Sequence, residues 1–195
     1  PLQNLRAAST MRVCFAARRA RRYVPGFTPS PHTTLPEVAW RYPLPAEWIA
    51  RWRIRRFGFH GLSVAWSTRR AAELLGRRAD ELRLVVAHLG SGCSVTAVDG
   101  GRSVDTSMGF TPYEGLMMGT RSGSVDPGLL LWAQHHGGID PADAERALDT
   151  ESGLLGISGV SNDMRDLLSS SDANAKLAVD YFIYRAAREI GALAA

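Results

Sequence analysis

Apolar and polar positions follow regular periods from about residue 55 to the end of the chain and show little order before it. Val64, Ala71, Ala72 and Leu75 recur on one face at helical spacing. They predict an amphipathic helix capped by Ser63 and ending near Gly76. Residues 82–88 (LRLVVAH) form a short apolar run with β-branched centres, the pattern of a buried strand. Residues 94–98 and 102–106 read as two further strands, and Asp99-Gly100-Gly101 between them supplies tight hairpin chemistry. Asp126-Pro127 and Asp140-Pro141 each set a capping carboxylate before a proline at the first helical position. Gly137-Gly138 closes the first of these helices, and the second reaches about Thr150. Ser161 or Asn162 is expected to cap a short helix through Leu168. Asp172 opens a long last helix with Val179, Ile183, Ala186, Ile190 and Leu193 on its inner face. That helix meets no stop signal before Ala195, the pattern of a chain cut from a longer one. A strand, a hairpin and several helices in this order predict an α/β fold, a mixed sheet with flanking helices.

Upstream, prolines at 29, 31, 36, 43 and 45 exclude a continuous helix and favour turns and extended segments, with a short helix following at 46–53. Composition adds bounds. With 195 residues, 45% of them hydrophobic, the chain can bury a sizeable core. No apolar run approaches the roughly 20 residues that span a bilayer, so no membrane partner is expected. The first ten residues, PLQNLRAAST, carry no initiator Met and no apolar signal core. Two cysteines, Cys14 and Cys93, are too few for a disulfide framework, although a single bridge between them is compatible with the sequence. They favour a reducing, cytoplasmic compartment. The net charge of +4 hides an asymmetry. Residues 1–70 hold 13 Arg against Glu37 and Glu47, while the remainder holds 10 basic and 17 acidic residues. Only Lys176 among the basic residues is a lysine, so the bias fits coding composition as well as a polyanion partner. No finger, RRM-like or heptad pattern accompanies the charge, and no nucleic acid is expected as a partner.

Four segments could carry chemistry. In RRFGFHG at 55–61, glycines flank Phe59-His60 and hold an imidazole beside apolar surface. Such a histidine can donate to a developing oxyanion or a transferring phosphoryl group; equally, it can be a packed histidine with a satisfied hydrogen bond. His88, Leu89, Gly90, Ser91 and Gly92 follow the predicted strand directly. Glycines there let backbone N–H groups approach phosphate, although hairpins also need glycine. The stretch 105–123 is too rich in Gly, Thr and Ser for a long helix and too apolar for a disordered loop. Its Arg121 sits between small residues, a setting for a guanidinium aimed at phosphate or for a structural ion pair. Met117 and Met118 read as packing. In GVSNDMR at 159–165 a helix start carries polar side chains that could meet a nucleotide or simply cap the helix.

Together these segments resemble the acetate kinase family, within the acetate and sugar kinase/Hsp70/actin superfamily. The resemblance rests on RRFGFHG at 55–61, HLGSGCSV at 88–95, SVDTSMGFTPYEGLMMGTRSG at 103–123, ESGLLGISGVSNDMRDLL at 151–168 and AKLAVDYFIYRAAREIGAL at 175–193. It covers residues 32–195 and is specific, because five long motifs occur in order. It implies an incomplete ribonuclease H-like, actin-like ATPase fold. Residues 32–78 would end an N-terminal domain, and 79–195 would form part of a C-terminal nucleotide-binding domain, after a poorly matching Arg-rich segment at 1–31. It also implies reversible transfer of the ATP γ-phosphoryl group to acetate with Mg2+, in the cytoplasm, by a homodimer. By motif position, His60 and Arg121 would stabilise the transition state, each contact worth roughly 3 kcal/mol. His88, Leu89, Gly90, Ser91 and Gly92 would hold the ATP phosphates; Asp163, Met164 and Arg165 would contact the nucleotide. Phe59 and Pro112 would wall the pocket for the acetate methyl group.

The family's first phosphate loop, its carboxylate-binding Arg, its later adenosine loop and its metal ligands have no counterpart in the sequence, so no metal ligand is assigned. Where the family reads Phe-Asp-Thr-Ala-Phe-His, this chain reads Phe27-Thr28-Pro29-Ser30-Pro31-His32. Thr28 has no carboxylate and cannot act as an ionised partner at neutral pH. Ser91 and Val64 replace a usual Asn and His. A kinase fragment inactive on its own is therefore the leading expectation, and a nucleotide-binding remnant without turnover is the alternative.

Overall fold

A computed structural model of the chain describes residues 30–195, so Thr28, Cys14 and nearly all of the Arg-rich segment lie outside the described residues. Three strands form an antiparallel sheet in chain order: β1 (Arg83–Leu89), β2 (Cys93–Asp99) and β3 (Arg102–Thr106). Gly100 and Gly101 take φ values of 56° and 77°. Both central turn residues are thus left-handed, the hairpin geometry whose twist matches the strands it joins. The central strand β2 is buried from Cys93 to Val98. Strand β1 is half-buried at Leu84, Val85, Val86 and His88 and exposed at its other positions. The fully buried strand expected from its apolar text is not found, because β1 is the outer strand and pairs only with β2 among the described residues. Its register sets His88 opposite Ser94 and Leu89 opposite Cys93.

The helices are α1 (Glu37–Trp40), α2 (Ala46–Trp52), α3 (Gly61–Leu75), α4 (Pro127–His136), α5 (Pro141–Thr150), α6 (Gly153–Ser158), α7 (Met164–Ser169) and α8 (Ala173–Ala194), with 3-10 turns at Ser30–Thr34 and Ala79–Glu81. The proline-rich stretch accommodates α1 and α2 because Pro36 and Pro45 sit at their N-caps, where a missing N–H costs nothing. Asp126, Asp140 and Asp172 cap α4, α5 and α8 as their spacing predicts, accepting from Gly128, Asp143, and Asn174 with Ala175.

Several expectations are corrected. Ser63 does not cap α3. The helix starts at Gly61, with His60 at the N-cap in a left-handed conformation and no side-chain cap. Its buried face is Gly61, Val64, Thr68 and Ala72, while Leu75 is exposed. Neither Ser161 nor Asn162 caps α7; Asp163 does, accepting from the Arg165 N–H. On α8 the buried residues are Ala175, Ala178, Val179 and Ala186, whereas Ile183 is 58% exposed. The helix lies against α6 and α7 along part of its length and against β1 and β2 elsewhere, and close approach favours alanine over isoleucine. Helix α6, with two glycines in GLLGIS, has no periodic signal. It forms because Leu154 enters the core and the N–H groups of Leu154 and Leu155 donate to the carbonyls of Met118 and Gly119, at 2.9 and 3.0 Å.

The core has two parts. Cys93, Val95, Met108, Leu116, Met118 and Ala186 form one, between the sheet and α8, with Phe59 packed against it. Met117, Leu154, Leu167, Ala175, Ala178 and Val179 form the other, with Met164 packed against it. Met117 and Met118 therefore point to opposite cores and anchor the segment leading to Arg121.

Candidate phosphoryl site

His60 ends the turn of RRFGFHG at φ 59° and ψ 17°. A non-glycine residue in this region costs of order 1 kcal/mol and is held there by its surroundings. Three contacts hold this one. The His32 ring, buried, donates from Nε2 to the Phe59 carbonyl at 2.7 Å. Gly109 accepts from the Phe57 and Gly58 N–H groups at 3.1 and 3.3 Å. Arg56 donates to the carbonyls of Thr106 and Ser107, each at 3.1 Å, and to Glu114 at 2.7 Å. Glu114 also accepts from the Tyr42 hydroxyl, which in turn accepts from the Phe110 N–H. Burial and the Glu114 carboxylate push the Tyr42 phenol up to about 12. Gly109 has no room for a side chain: a Cβ would lie 1.7 Å from Glu114 Oε2. Gly58 likewise faces the His32 ring, with a Cβ 2.6 Å from Cδ2.

The imidazole so placed stacks on His88, centroids 4.0 Å apart and planes 17° from parallel. His60 Nδ1 lies 3.0 Å from Ser94 Oγ, and His88 Nδ1 lies 2.9 Å from Ser63 Oγ. Ser63 thus serves the β1 histidine rather than the helix start. Burial, then the neighbouring His88, His32 and Arg121, hold the His60 pKa down to about 4, so the ring is neutral at pH 7. Burial also lowers His32, partly offset by the Phe59 carbonyl.

Arg121 reaches the same place from a different segment. Its Nε donates to Asp149 Oδ1 at 2.6 Å, and its guanidinium lies 5.7 Å from the Tyr113 ring centroid. The surrounding backbone is tied down: Thr120 Oγ1 donates to the Asp149 carbonyl at 2.8 Å, and the Ser122 N–H to that of Leu148 at 3.2 Å. Gly153, at φ 69°, permits this approach, since a Cβ there would lie 2.2 Å from the Met118 carbonyl oxygen.

Gly92 lies beside both groups. A Cβ built on it would be 3.4 Å from His60 Nε2 and 3.8 Å from Arg121 Nη1. A neutral ring edge and a cation thus face one stretch of bare backbone. The turn is held by the Gly90 N–H donating to the Gly92 carbonyl at 3.2 Å and by the Cys93 thiol donating to the Gly90 carbonyl at 3.2 Å. Cys93 is a free, buried thiol, its pKa raised by burial. Such an opening, with a guanidinium on one side and backbone accessible through two glycines, suits a phosphate. Among the described residues no three His, Cys, Asp or Glu side chains converge where a metal ion could be held. The described residues thus bring no such cluster together for Mg2+, and no step is assigned to one.

Of the residues singled out from the sequence, His60, His88, Gly90, Gly92 and Arg121 meet here. Leu89 and Ser91 are exposed at the strand end, and the Ser91 carbonyl accepts from Gly119 at 3.4 Å. Gly119 also faces the Asn162 carbonyl, bringing Asp163 and its neighbours to the edge of the same site. Asp163 caps its own helix and pairs with Arg165 at 3.0 Å, which holds its carboxyl down at about 2. Arg165 is exposed, while Met164 packs into the core. Phe59 packs against the core and Pro112 lies on the loop before Arg121. Two cavities, about 190 Å³ beside Thr68 and Ser103 and about 450 Å³ beside Arg83 and Leu193, are lined by none of these residues. Sequence reading missed Ser63, Ser94, Asp149, His32 and the Arg56–Glu114–Tyr42 group. Several lie inside quoted motifs, but no local pattern distinguishes a serine facing an imidazole from one facing water.

Residues 1–195 match the Acetokinase family. An acetate kinase of Deinococcus radiodurans is 51% identical over 166 residues, 84% of this chain and 42% of that protein. One from Caldanaerobacter subterraneus is 44% identical over 199 residues, covering 100% of this chain and 50% of that protein. Among solved structures, a propionate kinase from Francisella tularensis superposes with a TM-score of 0.88 at 37% identity, over 95% of this chain and 48% of its own. Porphyromonas gingivalis acetate kinase gives 0.80 at 42% identity, over 83% and 41%. The chain thus spans about half the length of the relatives it matches.

Proposed function

This chain belongs to the acetokinase family, and from that premise we propose that it forms the phosphoryl-transfer core of an ATP-dependent acetate kinase, within an actin-like ATPase fold. The observation that carries the reading is the convergence of His60 Nε2 and Arg121 Nη1 beside Gly92, within 3.4 and 3.8 Å of where its Cβ would lie. In the proposed reaction an acetate oxygen attacks the γ-phosphorus of ATP in line. The bond from phosphorus to the bridging oxygen breaks, ADP leaves with the electron pair, and acetyl phosphate forms; no proton need move. Arg121 meets the charge spread over the transferring group, held by Asp149 so that its outer nitrogens stay available. His60 contributes a neutral donor, because its ring is not protonated at pH 7. Gly90 and Gly92 give backbone access to the ATP phosphates, with His88, Leu89 and Ser91 completing the turn. Asp163, Met164 and Arg165 are assigned to the nucleotide side by motif position and by the Asn162–Gly119 approach. Phe59 and Pro112 are assigned to the acetate-methyl pocket by motif position. Such a pocket discriminates against one methylene by about 1–3 kcal/mol, making propionate the poorer substrate.

Further readings follow from membership. Mg2+ would accompany ATP, held by residues other than those described here. Exposed Leu177, Ile183 and Tyr184 on α8 support a homodimer through the C-terminal part. We place a domain division near residue 78. No described helix is long and apolar enough to cross a membrane, and the low cysteine content supports a cytoplasmic setting. A second reading, a nucleotide-binding module without turnover, is favoured by Thr28 in place of the family's Asp.

Binding of inorganic phosphate, followed by NMR on the 15N-labelled chain, tests the site. Saturable shifts at Gly92 and Arg121 that vanish in Arg121→Ala are expected; unchanged titration in that variant removes the reading. The chain alone is expected to make no acetyl phosphate in a hydroxamate assay. Turnover that is lost in His60→Ala and Arg121→Ala would contradict that expectation.

A further inference from the structure

We propose that Ser94 is a positioning residue that fixes the His60 tautomer: its hydroxyl donates to Nδ1, so the ring carries its proton on Nε2, the atom facing Gly92. The functional meaning of this assignment rests on the phosphoryl-site reading; the assignment itself does not.

Hydrogen-bond accounting decides the direction. Ser94 is fully buried on the central strand β2, and among the described residues its Oγ has one side-chain partner, His60 Nδ1 at 3.0 Å. Were Nδ1 protonated, it would donate to Oγ, and the hydroxyl proton would be left in the interior without an acceptor. A buried donor without a partner disfavours that arrangement by at least about fivefold. With the proton on Nε2, the serine donates and Nδ1 accepts, and both buried groups are satisfied. The remaining N–H then lies on the nitrogen nearest Gly92.

The same device occurs next door with no ambiguity. His32 Nε2 lies 2.7 Å from the Phe59 carbonyl, which can only accept, so that nitrogen bears the proton. Its Nδ1 must then accept from the buried Ser103 hydroxyl, 3.2 Å away. His88 repeats the geometry with Ser63 at 2.9 Å, and a Cβ on Gly90 would lie 3.5 Å from its Nε2. Two stacked imidazoles, each anchored at Nδ1 by a serine, therefore turn their Nε2 edges toward the glycines of the 90–92 turn.

The tautomer matters because the His60 ring is kept neutral by burial and by His88, His32 and Arg121 around it. A neutral ring has one donor. On Nε2 it can meet a phosphoryl oxygen; on Nδ1 it would present a lone pair to that oxygen and repel it.

Long-range 1H–15N correlation on the chain labelled with 15N-histidine reads the tautomer directly, without turnover. At neutral pH the His60 Nε2 is expected to show the protonated-nitrogen signature and Nδ1 the unprotonated one. In Ser94→Ala the two signatures should shift toward a mixture, with at least about a fivefold change in tautomer ratio, and Ser94→Thr should restore them. A merely structural serine would leave the ratio unchanged as long as the variant folds. A wild-type ring protonated on Nδ1, or a ratio unmoved in a folded Ser94→Ala chain, overturns the assignment. If Ser94→Ala does not fold, Ser94→Cys, which puts a much weaker donor in nearly the same volume, carries the comparison: its ratio should move toward a mixture, and an unmoved ratio overturns the assignment. Adding inorganic phosphate separates the two readings. An Nε2–H ring that does not respond to phosphate upholds the serine's role and removes the phosphoryl site. An Nδ1–H ring removes the serine's role even if phosphate binds.

Discussion

Acid should destabilise this chain through His60, and the effect can be isolated. The folded ring titrates at about 4, against 6.5 for an unperturbed histidine. Between those values the unfolded chain binds a proton that the folded chain refuses, so stability is fully present above 6.5 and lost as the pH falls toward 4. That difference corresponds to about 3.4 kcal/mol as an upper bound. Solvent reaches part of the ring, and screening reduces the realistic loss to about 1–2 kcal/mol. His60→Asn removes the titration while keeping a residue that tolerates the left-handed backbone. Urea unfolding, followed by tryptophan fluorescence at about pH 7 and about pH 4.5, gives the stability of each protein at each pH. The variant loses the Ser94 partner at both pH values, a constant offset that cancels in the comparison, as does the buried His32. The wild-type chain should lose about 1–2 kcal/mol more than the variant over this range. An equal loss in both proteins would refute the argument, because it would mean that the ring titrates alike in the folded and unfolded states.

Three other outcomes are expected. Gly109→Ala drives a methyl into Glu114 Oε2 at 1.7 Å and should cost about 1–3 kcal/mol in thermal unfolding. Combined with Glu114→Ala, which removes the nearer obstacle and releases the Tyr42 hydroxyl that also faces the site, it should cost measurably less than the sum of the two single changes. Gly92→Ala meets His60 and Arg121 at ordinary contact distances of 3.4 and 3.8 Å. It should leave stability within about 0.5 kcal/mol yet weaken phosphate binding by tenfold or more, about 1.4 kcal/mol. Asp149→Ala frees the Arg121 Nε and should weaken phosphate binding in the same titration, while Asp149→Asn, which keeps an oxygen acceptor, should recover most of it.

Much of the fold was legible because its rules are local. Asp126, Asp140 and Asp172 announce helices whose first N–H groups lie two or three residues away. Gly100 and Gly101 permit a left-handed turn that closes so short a hairpin. The family, too, was readable, since motif order survives in the text from 55 to 193. The local rules failed where a competing long-range contact won. Ser63 was free to bind a histidine 25 positions away because His60, not Ser63, holds the start of α3. Ile183 gave way to alanines because α8 must approach α6, α7 and the sheet closely.

The sequence by itself determined which residues could form a phosphoryl site, through His60, the glycines of the 90–92 turn and Arg121, and which elements would carry them. Only the tertiary structure decided what those residues are physically. His60 is neutral because neighbours from three other segments bury it and oppose its charge. Arg121 is aimed because Asp149, 28 positions away, holds its Nε. Ser94, 34 positions from His60, fixes where the ring can bear its proton. Charge state, aim and tautomer are set by distances between atoms far apart in the chain, and no spacing rule along the chain encodes them.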